Sequence, residues 1–213
     1  MARRGLVQAA IAIAVAVWAV MLLIQGVDLS FSDLRPYSIA VAVVLLSFLA
    51  FDRWCWRIPP LPRLLRRPVL AGTWKGELRS NWVNPTSGEK LAPIPAFLLV
   101  HQTYETITLR MFTAESSSTS QTAEINTSPD GVAEVITTYH NVPKLHLQER
   151  SRVHYGAMRL DVHGDPPSRL QGAYWTDQGT KGEVAFTEHV SKPYSDFASA
   201  SQAMPDPSPA DAT

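Results

Sequence analysis

Cysteine is almost missing. Cys55 is the only one in 213 residues, which excludes a disulfide framework and any zinc site built on thiolates. Net charge is missing as well. With 19 basic and 19 acidic side chains the chain is no strongly basic nucleic-acid binder, and neither DNA nor RNA is an expected partner. There is no Gly-rich phosphate loop, no Gly-x-Ser-x-Gly and no His-Glu-x-x-His. His140 and His146, like His154 and His163, stand at no familiar metal spacing. No enzymatic activity, metal or cofactor is therefore expected. What remains is 46% apolar, too much for a wholly disordered chain.

The zero charge hides an uneven spread. Residues 1–68 carry about +5, residues 71–190 about −3 and the tail from Ser191 about −2. From Leu6 to Ile24 no residue is charged, and such a run is long enough to cross a bilayer. A second apolar run extends from Pro36 to Phe51, with Trp54 and Trp56 suited to an interface. The short polar turn between the runs predicts an antiparallel membrane hairpin. A cleaved signal peptide fits less well, because the first run is too long and lacks a small-x-small end. Arg3 and Arg4 precede the first run, and Arg53, Arg57, Arg63, Arg66 and Arg67 follow the second. The positive-inside rule then places both the N-terminus and the rest of the chain in the cytoplasm. Pro59, Pro60 and Pro62 predict a stiff extended spacer whose arginines suit anionic lipid headgroups.

After Leu70 the apolar period becomes two. Strands are expected from Trp74 to Trp82, over 94–104 and 105–115, and at 120–127, 132–141, 153–163, 169–177 and 181–189. Turn signals such as Asn84-Pro-Thr-Ser-Gly88 and Pro129-Asp-Gly131 separate them. Eight short strands in sequence favour an up-and-down antiparallel β-barrel, lipocalin-like, over a Greek-key sandwich. Such a barrel has room for its side chains and one small ligand. The expected organisation is a two-transmembrane helical hairpin (1–56), a Pro/Arg-rich linker (57–70), a cytoplasmic β-barrel ligand-sensing domain (71–190) and a disordered tail (191–213).

Stacking faces beside a few cations are what a nucleotide needs. The strands supply Trp82, Tyr104, Tyr139, Tyr155, Tyr174 and Trp175, with Arg110, Arg159, Asn141 and Thr176 near them in the alternation. The candidate ligand-binding set is Trp82, Tyr104, Arg110, Tyr139, Asn141, Arg159, Tyr174 and Thr176. The same aromatics are also ordinary strand formers and core residues, so composition alone leaves both roles open.

Gly72-Thr-Trp74 at the head of a strand resembles the opening of lipocalin-type barrels. A fuller pattern consists of two apolar helices, then Gly72-Thr-Trp-Lys-Gly-Glu-Leu78, Tyr139-His-Asn-Val-Pro143 and Tyr155-Gly-Ala-Met-Arg-Leu160. Leu170-Gln-Gly-Ala-Tyr174 and Gly179-Thr-Lys-Gly-Glu-Val184 complete it. It resembles the two-transmembrane, β-strand-rich effectors (S-2TMBeta type) of bacterial CBASS antiphage systems. That resemblance implies an inner-membrane, multi-pass protein whose barrel binds a cyclic oligonucleotide, a cyclic dinucleotide above all. A cGAS/DncV-like nucleotidyltransferase would make this messenger on phage infection. The effector would then form a homo-oligomer, and its helices would disrupt membrane lipids and kill the cell. It marks Tyr139, Asn141, Pro143, Gly156, Gly172, Tyr174 and Gly182 as motif positions. An anionic ligand entering an acidic domain also needs local cations, and Arg110, Arg159 or Lys144 could supply them. The alternative reading is a membrane-tethered lipocalin-like carrier, or an anchor, for a small apolar ligand or a protein partner.

Overall fold

The computed structural model describes residues 20, 24, 31–83 and 88–205. The chain divides into two compact units, Met1–Ala50 and Phe51–Thr213. The first expected membrane run lies almost wholly outside the described residues. The second falls within helix α1, Phe31–Arg53. Among the described residues no helix is long and apolar enough to cross a membrane.

The second unit is a closed barrel whose eight strands are neighbours in chain order. They are β1 (Gly72–Ser80), β2 (Ile94–Gln102), β3 (Ile107–Thr113) and β4 (Ser116–Thr127), then β5 (Ala133–Pro143), β6 (His154–His163), β7 (Arg169–Thr176) and β8 (Lys181–Val190). Each strand runs antiparallel to the next, and β8 closes on β1. The up-and-down topology expected from the alternation is the one found. In β5, Ala133, Val135, Thr137, Tyr139 and Asn141 are buried while the residues between them face outward. Bulges at Lys75/Gly76 and Ser120/Thr122 shift the register and help the sheet to bend.

The barrel is not hollow. Trp74, Leu98, Val100, Val135, Leu160, Leu170 and Phe186 meet in one apolar core. The room for a ligand that an eight-stranded barrel permits is taken up by side chains.

The base of the barrel is capped by the segment expected to be an extended spacer. A 3-10 turn (Cys55–Arg57) and a short helix α2 (Leu61–Leu64) fold it back on itself. Trp56 and Leu70 are fully buried there, and that burial favours compaction over extension. The Gln102 amide accepts from Leu70 N–H at 2.7 Å and donates to the Pro68 carbonyl at 2.8 Å. The Asp52 carboxylate accepts from Glu105 N–H at 3.0 Å, and Tyr104 N–H donates to the Asp52 carbonyl at 2.9 Å.

The tail also departs from expectation. Instead of being disordered from Ser191, it forms helix α3, Phe197–Ala203, which Asp196 caps by accepting from Ser199 N–H at 2.8 Å. Ala200 and Met204 are buried against Phe97, Leu99 and Phe112 on the outer wall. The Lys75 ammonium donates to the Pro205 carbonyl at 2.7 Å. A Ser/Ala-rich stretch orders here because the wall of β2 and β3 offers it an apolar surface.

Candidate functional site

The end of the barrel away from the base cap is its mouth. There β1, β3, β5 and β7 finish and β2, β4, β6 and β8 begin. The inner wall becomes polar toward it. Ser118 Oγ donates to Asn141 Oδ1 at 2.7 Å, Thr137 Oγ donates to the Thr122 carbonyl at 2.8 Å, and Ser120 Oγ accepts from Leu109 N–H at 2.9 Å. These bonds satisfy hydroxyls and an amide that would otherwise be costly to bury. The void beside them, between Leu109, Ser118, Thr137, Tyr139 and Met158, measures about 10 Å³, room for one water.

Two tyrosines close the upper lumen. Burial pushes the Tyr139 phenol well above its ordinary value, and the charges of Tyr174 and Asp177 push the same way. Burial also raises Tyr174, while a hydrogen bond with Ser80 opposes that rise. Both rings lie over glycines of the neighbouring strand. A Cβ at Gly156 would stand 2.4 Å from Tyr139 Cζ, and one at Gly182 would stand 2.6 Å from Tyr174 Cε1.

A larger space lies at the rim, where β1 and β7 end and β8 begins. It is an open cleft of about 610 Å³ between Arg79, Asn81, Tyr174, Trp175, Lys181 and Glu183. Asn81 N–H donates to the Lys181 carbonyl and Asn81 Oδ1 accepts from Lys181 N–H, both at 2.9 Å, which joins the two strands at the rim. Arg79 is drawn to Glu77, with Nε to Oε1 at 2.7 Å. Among the described residues Lys181 forms no ion pair. The Trp175 indole is 51% exposed.

The residues singled out in the sequence fall in several places. Tyr139, Asn141, Tyr174 and Thr176 share the inner wall at the mouth, where Thr176 and Thr180 hydroxyls meet at 2.7 Å. Trp82 stands just past β1 at the rim, its N–H donating to Ser80 Oγ at 3.1 Å. Arg110 and Arg159 point outward on β3 and β6, and Arg159 is held by Glu134 at 3.2 Å and Asp161 at 3.1 Å. Tyr104 is at the opposite end, in the β2–β3 turn, with Phe51 and Trp56 edge-on to its ring and the Arg67 guanidinium above it. Lys144 follows β5 at the mouth and is exposed.

Sequence reasoning passed over Arg79, Asn81, Lys181, Ser118 and Thr137. Lys181 carried a signal, since it stands inside Gly179-Thr-Lys-Gly-Glu-Val184. Ser118 and Thr137 carried one only in register: Ser118 pairs with Asn141, and Thr137 is two residues from Tyr139 on the same face.

A family model described as Cap15, cyclic dinucleotide receptor domain, matches residues 65–188. The match runs from the end of the base cap into β8. No curated protein matches the chain.

Proposed function

The chain belongs to the Cap15 cyclic dinucleotide receptor family, and from that premise we propose that it is the membrane effector of a bacterial CBASS antiphage system. The barrel binds a cyclic dinucleotide made by a partner cGAS/DncV-like nucleotidyltransferase. The bound protein assembles into oligomers, its N-terminal helices breach the inner membrane, and the infected cell dies before phage matures. The reading assigns the chain no chemical step of its own.

The observation that carries it is the coincidence of the family match with the closed barrel. Residues 65–188 take in nearly the whole of the closed barrel. The membrane half of the reading draws support from the uncharged run Leu6–Ile24 and from the arginines on either side of the hairpin. It also draws support from α1, where Val43, Val44, Leu46, Phe48 and Leu49 are all exposed. An apolar helix face left open is costly in water and favourable in lipid. The lipocalin-like carrier is the weaker reading, because a void for one water holds no apolar cargo.

The test is expression of the full chain in bacteria together with a nucleotidyltransferase that makes its messenger. Collapse of membrane potential that depends on the messenger is the expected result. Intact potential in cells that contain abundant protein and measured messenger overturns the proposal.

A further inference from the structure

We infer that the base cap is a lipid-contact surface: Arg53, Arg57, Arg66 and Arg67 take the phosphates of anionic phospholipid headgroups, while Trp54 and Leu64 enter the boundary between headgroups and acyl chains. The inference rests on the membrane half of the reading above and gives the barrel unit its own hold on the bilayer.

The charge of the cap is one-sided. Residues 51–70 contain five arginines and one acid, Asp52. The Asp52 carboxylate is engaged with Glu105 N–H at 3.0 Å. Arg63 is held by Asp165 at 2.9 Å, an exposed pair of little strength. Arg66 donates to the Pro129 carbonyl at 3.2 Å, which uses a hydrogen and leaves the charge unneutralised. Among the described residues Arg53, Arg57, Arg66 and Arg67 form no ion pair.

Two of these guanidiniums are fixed on aromatic rings. Arg57 lies over Trp56 at 5.5 Å and Arg67 over Tyr104 at 5.7 Å. Their Nε–H groups are buried without an acceptor, as is the Trp56 indole N–H. Burial lowers the pKa of both arginines, and at Arg67 Tyr104, Glu124 and Asp52 pull the other way. Half-buried cations beyond ion-pair reach of a carboxylate are stabilised by an anion brought from outside.

The neighbouring apolar groups favour a lipid as the source of that anion. Trp54, Ile58 and Leu64 are 63%, 58% and 77% exposed among the arginines. Tryptophan beside arginine is the composition of a membrane interface, where an apolar body and a polar tip are both accommodated. Arg53 ends α1, so the cap begins one residue after a helix whose Val43, Leu46 and Leu49 are open. A free anion has no use for exposed apolar side chains, whereas a phospholipid brings phosphate and acyl chain together.

The experiment is calorimetric titration of the full chain in neutral detergent with short-chain phosphatidylglycerol, short-chain phosphatidylcholine and inorganic phosphate. Phosphatidylglycerol is expected to bind saturably and tightest of the three. Arg53→Gln and Arg66→Gln are each expected to weaken it about fivefold. Arg67→Lys keeps the charge and loses the planar fork, and is expected to weaken it about tenfold, with circular dichroism confirming the fold. Arg150→Gln makes the same charge change at the mouth, where Arg150 pairs with Glu115, and is expected to bind as the wild type does. Equal binding of the two lipids, or inorganic phosphate binding as tightly as phosphatidylglycerol, overturns the inference. So does a loss in Arg150→Gln as large as that in the base variants. A separate arm reconstitutes the chain into phosphatidylcholine vesicles and washes them with alkaline carbonate. Retention keeps the membrane reading standing whatever the titration gives, and release overturns that reading together with the inference.

Discussion

The Tyr139 ring lies against Gly156 on the neighbouring strand, so close that a Cβ at Gly156 would meet Tyr139 Cζ at 2.4 Å and the Trp175 carbonyl at 2.6 Å. The two residues are paired across β5 and β6. The glycine is the reason that a buried tyrosine fits inside so narrow a barrel. Gly156→Ala should therefore destabilise the fold by about 1–3 kcal/mol through overpacking. Tyr139→Ala combined with Gly156→Ala should cost less than the two single losses added, because the ring that clashes is gone. Denaturant unfolding of the three variants measures both effects.

The same burial makes the fold sensitive to alkali. Tyr139 and Tyr174 ionise at higher pH in the folded chain than in the unfolded one, mainly because burial disfavours the phenolate. A raised folded pKa gives stability that is fully present below the unfolded value, about 10 for tyrosine, and lost as pH rises through the folded one. Stability should be level across neutral pH and fall once the pH passes about 10. Tyr139→Phe should flatten that decline. Unfolding free energy as a function of pH, with tyrosinate absorbance followed in parallel, checks it.

The barrel was legible because inward and outward residues alternate cleanly. In β6, Gly156, Met158 and Leu160 face in while Tyr155 and Arg159 face out. That alternation already separates Arg159 from Tyr139, and Arg110 from Leu109 and Met111; grouping cations with aromatics by chain proximity obscured it. The start of β4 was not legible, since Ser116-Ser-Ser-Thr-Ser120 has neither apolar alternation nor bulk. Its serines belong to the strand because their partners across the sheet include Tyr139 and Asn141. The filled lumen was not legible either. Whether eight strands leave space depends on how Trp74 and Phe186 meet in three dimensions, which no periodicity encodes.

The ordered tail had a signature in another part of the chain. Ala96-Phe97-Leu98-Leu99-Val100 is apolar without alternation, and all five residues are buried. A barrel strand with both faces buried must be covered from outside, and α3 is the cover. Phe197 meets Phe97 edge-on with ring centroids 5.4 Å apart. Phe197→Ala should cost about 2–4 kcal/mol, at the lower end for a ring only partly buried. Truncation after Val190 should in addition expose Phe97, Leu99 and Phe112 and raise binding of a hydrophobic dye. An unchanged dye signal in the truncated chain would contradict the strap role.

The base cap sets where the barrel can be cut from the rest of the chain. Asp52 and Trp56 precede the linker expected from composition, yet both belong to the barrel unit. Trp56 has no exposed surface, and the Asp52 carboxylate holds the β2–β3 turn through Glu105 N–H. A chain beginning at Phe51 retains both contacts, whereas one beginning at Arg57 loses them and leaves the turn's N–H groups without their acceptors. The longer form should melt at a higher temperature and unfold in one step. The shorter form should fall by about 3–5 kcal/mol, the usual loss for a buried Trp side chain. Trp56→Ala in the full chain separates the ring from the backbone: if it reproduces most of that loss, the cap is held by packing, and if it does not, Asp52 carries the larger share.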